Sequence, residues 1–213
     1  MPKQVLRSEN LLCNMKYNDR KVGGALLFIA SVQCILGIIT AEALYPSYST
    51  SENYISDLGV GPSALLFNSS IILLGVLLVG GAYFIQRALG SRLFSILLTI
   101  TGVGAMGVGF FPKNFGIIHG IASLIIFLFG GASAIASYKL QKPPLSYFSV
   151  LLGALSIGAL VLFGSGTYLG LGKGGMERMI AYPTLLWGVG FSGHLIGSSK
   201  NPVNQLGQNI RDK

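Results

Sequence analysis

The sequence predicts an all-α integral membrane bundle of six transmembrane helices. Three observations carry that prediction: six apolar stretches of spanning length, a scarcity of charge, and a one-sided placement of lysine and arginine. Spanning a bilayer as a helix takes about 20 apolar residues. Six stretches qualify: Val22–Ala41, Ala64–Ile85, Leu93–Phe111, Phe115–Tyr138, Tyr147–Leu169 and Met179–Gly197. The chain is 51% hydrophobic and 10% charged, whereas a soluble domain carries about 25% charge. Its 30 glycines fall mostly within apolar runs, and glycine is commoner in membrane helices than in soluble ones.

Charge placement sets the expected topology. Of the 15 lysines and arginines, twelve lie in the N-terminal tail, the second-to-third loop, the fourth-to-fifth loop and the C-terminal tail. The other side keeps only Lys113, Lys173 and Arg178. By the positive-inside rule both termini are cytoplasmic, which an even number of spans satisfies. The organisation expected is a basic cytoplasmic tail over 1–21, a membrane domain over 22–197 and a second cytoplasmic tail over 198–213, in the cell membrane.

The net charge of +8 does not indicate nucleic acid. The basic residues are scattered between apolar spans, with no basic face and no interleaved aromatics, and attraction to anionic lipid headgroups accounts for them. The expected partners are membrane lipids. Cys13 and Cys34 lie in a tail and in mid-span, so no disulfide is expected, and neither has metal-ligand spacing. The run from Val22 is too long for a signal-peptide core and lacks a small-residue cleavage site, so it is read as a retained span.

Between spans the connections are short and rich in glycine and proline, with one exception: residues 42–63. This stretch carries Glu42, Tyr45, Tyr48, Glu52, Tyr54 and Asp57. Ser49 and Glu52 have capping-box spacing, which predicts a short surface helix from Glu52. The tyrosines suit the headgroup level. The Leu93 and Phe115 segments are so close that a tight helical hairpin is expected.

Small residues let membrane helices approach one another. Ala105/Gly109, Gly116/Gly120, Gly130/Ala134 and Ala154/Gly158 have the required spacing. They are expected to build the bundle, with homo-oligomerisation through such faces as the sharper alternative. No internal repeat is visible, and no pair of interrupted helices marks the inverted halves of a transporter.

Asp57, Asn68, His119, Glu177 and Arg178 all fall near the outer ends of their helices and form the candidate outer polar cluster. Ionisable groups at membrane depth are costly, so they mark function or a deliberate clasp. Arg178 opposes the positive end of a helix beginning beside it, and therefore needs a carboxylate. Asp57 is the first candidate for that partner and Glu42 the second. His194 lies about 22 Å along the sixth span, whereas His119 is about 6 Å from its outer end. The two cannot share a metal or a haem, and no metal or cofactor is expected. Gln33 in mid-span predicts a hydrogen bond to a neighbouring helix. Pro183 should bend the sixth helix, and Trp187 is read as packing. No Walker loop, H-E-x-x-H or G-x-S-x-G motif is present.

The elements Tyr54-Ile55-Ser56-Asp57-Leu58-Gly59, Leu66-Phe67-Asn68, Phe111-Pro112, His119 and Glu177-Arg178 together resemble the prokaryotic membrane family called domain of unknown function 998. The resemblance runs from Val22 to Gly197 and implies a six-helix bundle with its characteristic residues on the outer side. The Ile-Ser-Asp-Leu-Gly element alone is similar to a loop of the eukaryotic six-span group of damage-regulated autophagy modulators, Sfk-type proteins and a GPI-remodelling factor. That shorter likeness suggests lipid-linked roles by analogy.

Three functions fit. The first is a non-catalytic membrane protein whose outer cluster binds a lipid headgroup or a partner, or holds the bundle. The second is an enzyme acting on a lipid or lipid-linked substrate at the outer interface, with Asp57 or Glu177 as acid or base, His119 as proton shuttle or metal ligand and Arg178 as phosphate anchor. The third is a small transporter, which the lack of midplane charge disfavours.

Overall fold

Apolar runs of spanning length become helices here because lipid leaves backbone groups no other partner. In a computed structural model, which describes residues 3–198, six helices follow one another: α1 (Lys3–Ala43), α2 (Ala64–Leu89), α3 (Arg92–Phe110), α4 (Ile117–Ala136), α5 (Leu145–Gly164) and α6 (Gly172–Gly197). Short 3₁₀ helices at Ile55–Gly59, Lys113–Phe115 and Ser137–Leu140 fill the connections, and the described residues contain no strand. The expected C-terminal tail beyond residue 198, with Lys200, Arg211 and Lys213, lies outside the described residues. The basic segment ahead of the first span continues α1 as helix.

Five of the helices are long and apolar enough to cross a membrane: residues Asn18–Ala43 of α1, then α2, α3, α4 extended to Leu140, and α5. α6 is as long as α2, but its glycines, Lys173, Glu177, Arg178 and Pro183 dilute its apolar content. The outer wall of the bundle is apolar. Leu65 and Ile117 are 86% and 81% exposed, and leucine, isoleucine, valine and phenylalanine dominate the rest of the exposed surface. A soluble protein does not present such a belt; hydrocarbon covers it.

Each helix packs on its neighbour in the chain, and α6 closes the ring against α1. α5 leans on the outside, between α4 and α6. Glycine makes several of these contacts possible. A Cβ on Gly102 would sit 2.8 Å from the Gly75 carbonyl oxygen, and one on Gly153 would sit 2.6 Å from that of Gly131. These are backbone-to-backbone contacts of α2 with α3 and of α4 with α5. Among the four expected small-residue pairs, Ala105/Gly109 and Gly130/Ala134 are buried in the bundle. Gly116/Gly120 and Ala154/Gly158 are exposed, and a Cβ on Gly116, Gly120 or Gly158 would touch nothing. These last two pairs therefore do not build the monomer.

Two span ends depart from expectation. α5 stops at Gly164, not Leu169, because Gly166, Leu169 and Gly170 all have positive φ, a conformation that breaks a right-handed helix. α6 starts seven residues before Met179. Its polar first turns escape a hydropathy reading, but the carbonyl of Ser51 accepts the Gly174 N–H at 2.8 Å, satisfying a donor that a helix start leaves open. α3 and α4 form the expected tight hairpin through Pro112 and Gly116.

Gln33 meets its neighbour as expected. Its amide nitrogen donates to the Ser70 carbonyl at 3.1 Å, and the Ser70 hydroxyl donates back to Gln33 Oε1 at 2.9 Å, joining α1 to α2. At the end opposite the long loop, Arg87 of α2 pairs with Asp19 of α1 at 3.2 Å. Trp187 of α6 is stacked on Phe191 and donates its indole N–H to Ser137 Oγ at 2.9 Å. Gln141 joins Ser137 and accepts from Ser149 of α5. Trp187 thus anchors α6 to both α4 and α5, more than packing alone.

Candidate functional site

Residues 44–63 form the lid of one end of the bundle. The expected capping contact is half made: Ser49 Oγ accepts the Glu52 N–H at 3.3 Å. Asn53 Oδ1, however, accepts the Ser49 N–H at 3.0 Å, which curls the segment into a turn. The helix comes later, as the 3₁₀ turn Ile55–Gly59, where Asp57 Oδ2 accepts the Tyr54 N–H at 2.9 Å. The lid rests on the first turns of α6. There a Cβ on Gly174 would collide with the Asn53 carbonyl oxygen, so the close approach requires glycine.

Arg178 organises this end. Nη2 donates to Glu42 Oε1 at 2.5 Å and to the Tyr48 hydroxyl at 2.8 Å. Nη1 donates to the carbonyls of Thr50, Gly174 and Asn53 at 2.9, 2.9 and 3.3 Å. The Tyr48 hydroxyl in turn donates to the Tyr54 carbonyl at 2.7 Å. Glu42 closes the last turn of α1, so a single guanidinium ties α1, the lid and α6 together. Its partner is Glu42 and not Asp57, the first candidate. The reason is helix register: Arg178 lies in the second turn of α6, facing the end of the adjacent α1.

Asp57 belongs to a second network. Oδ1 pairs with Lys113 of the α3–α4 turn. The Lys113 ammonium lies 4.2 Å from the centre of the Tyr54 ring, and that of Lys173 lies 5.3 Å from it, both within cation–π range. Glu177 makes a third contact: Oε2 accepts the Ile55 N–H at 2.6 Å, with the residue only 6% exposed.

The remaining two candidates each hold a turn. Asn68 Nδ2 donates to the Gly59 carbonyl at 3.0 Å. His119, buried in α4, places Nδ1 2.8 Å from the Phe111 carbonyl. A carbonyl only accepts, so Nδ1 carries the proton and the imidazole pins the α3–α4 hairpin. All five expected residues thus lie at the lid end, divided among three ionic or hydrogen-bonded networks and two turn clasps. Among the described residues no group of three or more histidine, cysteine, aspartate or glutamate side chains is placed to hold a metal ion.

Burial sets the local proton affinities. It pushes the Tyr48 hydroxyl up to about 12, against the opposing pull of Arg178. It raises the Glu177 carboxyl to about 7, against the Ile55 N–H and Arg178. Glu177 lies in the polar turns of α6, ahead of the apolar stretch that begins at Met179. Desolvation of the charged form is the dominant cause in both.

Sequence reasoning counted Lys113 only as a charge and Tyr48 and Tyr54 only as headgroup-level aromatics. Each is a partner in an ionic network. The available signal was the near balance of charge at this end: three cations, Lys113, Lys173 and Arg178, face four carboxylates, and Glu42 and Asp57 pair with two of the cations.

No curated protein and no solved structure matches the chain. A family model does: residues 28–194, which reach into all six helices, match the one described as protein of unknown function, DUF998. With most of its length matched, this all-helical membrane protein belongs to the DUF998 family.

Proposed function

We propose that the chain is a non-catalytic, six-span protein of the cell membrane with both termini in the cytosol, and that its lid-end polar residues act as a structural clasp closing the bundle. The observation that carries the reading is the engagement of both terminal nitrogens of Arg178, with only its buried Nε left without a partner. Its two terminal nitrogens meet five acceptors drawn from α1, the lid and α6. An arginine so committed is not free to anchor a phosphate. His119, the expected proton shuttle, has its Nδ1 on the Phe111 carbonyl, where it braces the α3–α4 turn. The charge asymmetry supports the orientation, and the packing of α6 between α1 and α5 supports a sixth span.

Unfolding of Arg178→Met and Glu42→Gln variants in detergent tests the clasp. Removing one partner of a buried ion pair costs about 3–5 kcal/mol, because the other charge is left uncompensated. Both variants should therefore lose most of their folded population. If both unfold like the parent protein, the clasp is not what these residues are for.

A further inference from the structure

At the end opposite the lid, Arg92 and Lys139 have no carboxylate partner among the described residues. Arg87 beside them is paired with Asp19, as Lys113 and Arg178 are with Asp57 and Glu42 at the lid end. Arg92 opens α3, and Lys139 lies in the 3₁₀ turn that follows α4. The antiparallel course of α3 and α4 brings both cations to one open groove of about 620 Å³. That volume lies within the range of about 300–1,000 Å³ that small-molecule sites occupy. Ser91, the N-cap of α3, lines the same groove and supplies no side-chain cap. The first N–H groups of α3 are therefore open beside the two cations, and a helix start favours an anion. Farther along the helices the groove is apolar. Ile135 lies one turn before Lys139 in α4, and Val150 lies in the second turn of α5. Leu93 of α3 also lines it and is 64% exposed, on the side that hydrocarbon covers. Tyr138 lines the groove as well, with its ring centroid 6.2 Å from that of Tyr147 in α5, and tyrosines gather at the headgroup level.

We propose that this groove binds one anionic phospholipid, its phosphodiester held by Arg92 and Lys139 and an acyl chain laid along Ile135 and Val150. Both halves of the ligand have a counterpart in the groove. Two cations without carboxylates match a phosphate, and a zwitterionic lipid would bring its own ammonium against them. A soluble anion would meet the cations but leave the apolar wall unfilled. Basic pockets between spans on the cytoplasmic side suit anionic headgroups, and the proposed orientation puts the groove in that leaflet. The binding itself is the same in either orientation.

The test is native mass spectrometry of the full-length protein in a neutral detergent, titrated with dioleoylphosphatidylglycerol or with dioleoylphosphatidylcholine. The anionic lipid should bind at least about tenfold more tightly. Arg92→Gln and Lys139→Gln should each reduce that preference by about fivefold. Lys142→Gln removes the same charge at the same end but does not line the groove, and it should leave the preference unchanged. All three side chains are exposed, so these variants keep the fold. Ile135→Trp fills the apolar part and keeps both cations, and it too should weaken the anionic lipid. Glycerol phosphate added at the concentration of the lipid should not displace it. Equal binding of the two lipids would overturn the proposal. So would an equal loss in Lys142→Gln, which would make the attraction one of diffuse surface charge. Displacement by glycerol phosphate, or unchanged binding in Ile135→Trp, would leave an anion site with no place for a lipid chain and would overturn it as well. The clasp reading would survive each of these results, because Arg178 lies at the other end of the bundle.

Discussion

Arg178 and Glu42 are 136 residues apart in the chain and 2.5 Å apart in the fold. Their pairing joins the last turn of α1 to the second turn of α6, and so closes the ring of helices at its lid end. The same guanidinium reaches the lid backbone, so one residue holds both the lid and the ring.

That geometry predicts an asymmetry between the two basic residue types. Lysine carries one ammonium and cannot span acceptors on opposite sides of a planar fork. Arg178→Lys keeps the charge but should still lose about 2 kcal/mol, since several acceptors are left unmet. Unfolding in mixed detergent measures it, and a variant as stable as the parent would mean that charge alone is required.

The Gln33–Ser70 pair sits far from the lid and should behave as ordinary helix-to-helix glue. Hydrogen bonds between membrane helices are worth about 0.6 kcal/mol on average. A double-mutant cycle with Gln33→Ala and Ser70→Ala should give a coupling of about that size. Zero coupling would mean that the two groups find equal partners elsewhere.

Glu177 sets the direction of the pH dependence. Its folded carboxyl is raised to about 7 from an ordinary value of 4.5, so between these values the folded state binds more protons than the unfolded state. The stability it contributes is complete below about pH 4.5 and is lost as the pH rises through about 7. The thermal midpoint of the parent should fall over that interval, while Glu177→Gln should show a flatter profile. A parallel decline in both would assign the pH dependence to another group.

Topology is open to a chemical test. In a chain with Cys13→Ser and Cys34→Ser, a cysteine at Asn114 should react with an impermeant maleimide in intact cells. One at Lys142 should react only after lysis. The reverse pattern would invert the proposed orientation.

Much of the architecture is legible in the sequence alone. The five apolar spans, the hairpin at Pro112 and Gly116, and the bond made by Gln33 all follow from local composition. The lower boundary of α6 did not, because its opening turns are polar and become helical only where Ser51 of the lid supplies an acceptor. The sorting of small-residue pairs was equally hidden: Ala105/Gly109 and Ala154/Gly158 share a spacing, yet only the first faces another helix.

By itself, then, the sequence determined the helical membrane class and the position of each polar residue along its helix, because hydropathy and helical rise act along the chain. It also implied that Arg178 needs a carboxylate. Only the tertiary structure decided which carboxylate serves which cation, Glu42 for Arg178 and Asp57 for Lys113, and that Glu177 serves the Ile55 N–H instead. The pairings are matters of helix rotation and ring order. Both are set by packing between segments distant in the chain, which no local pattern encodes.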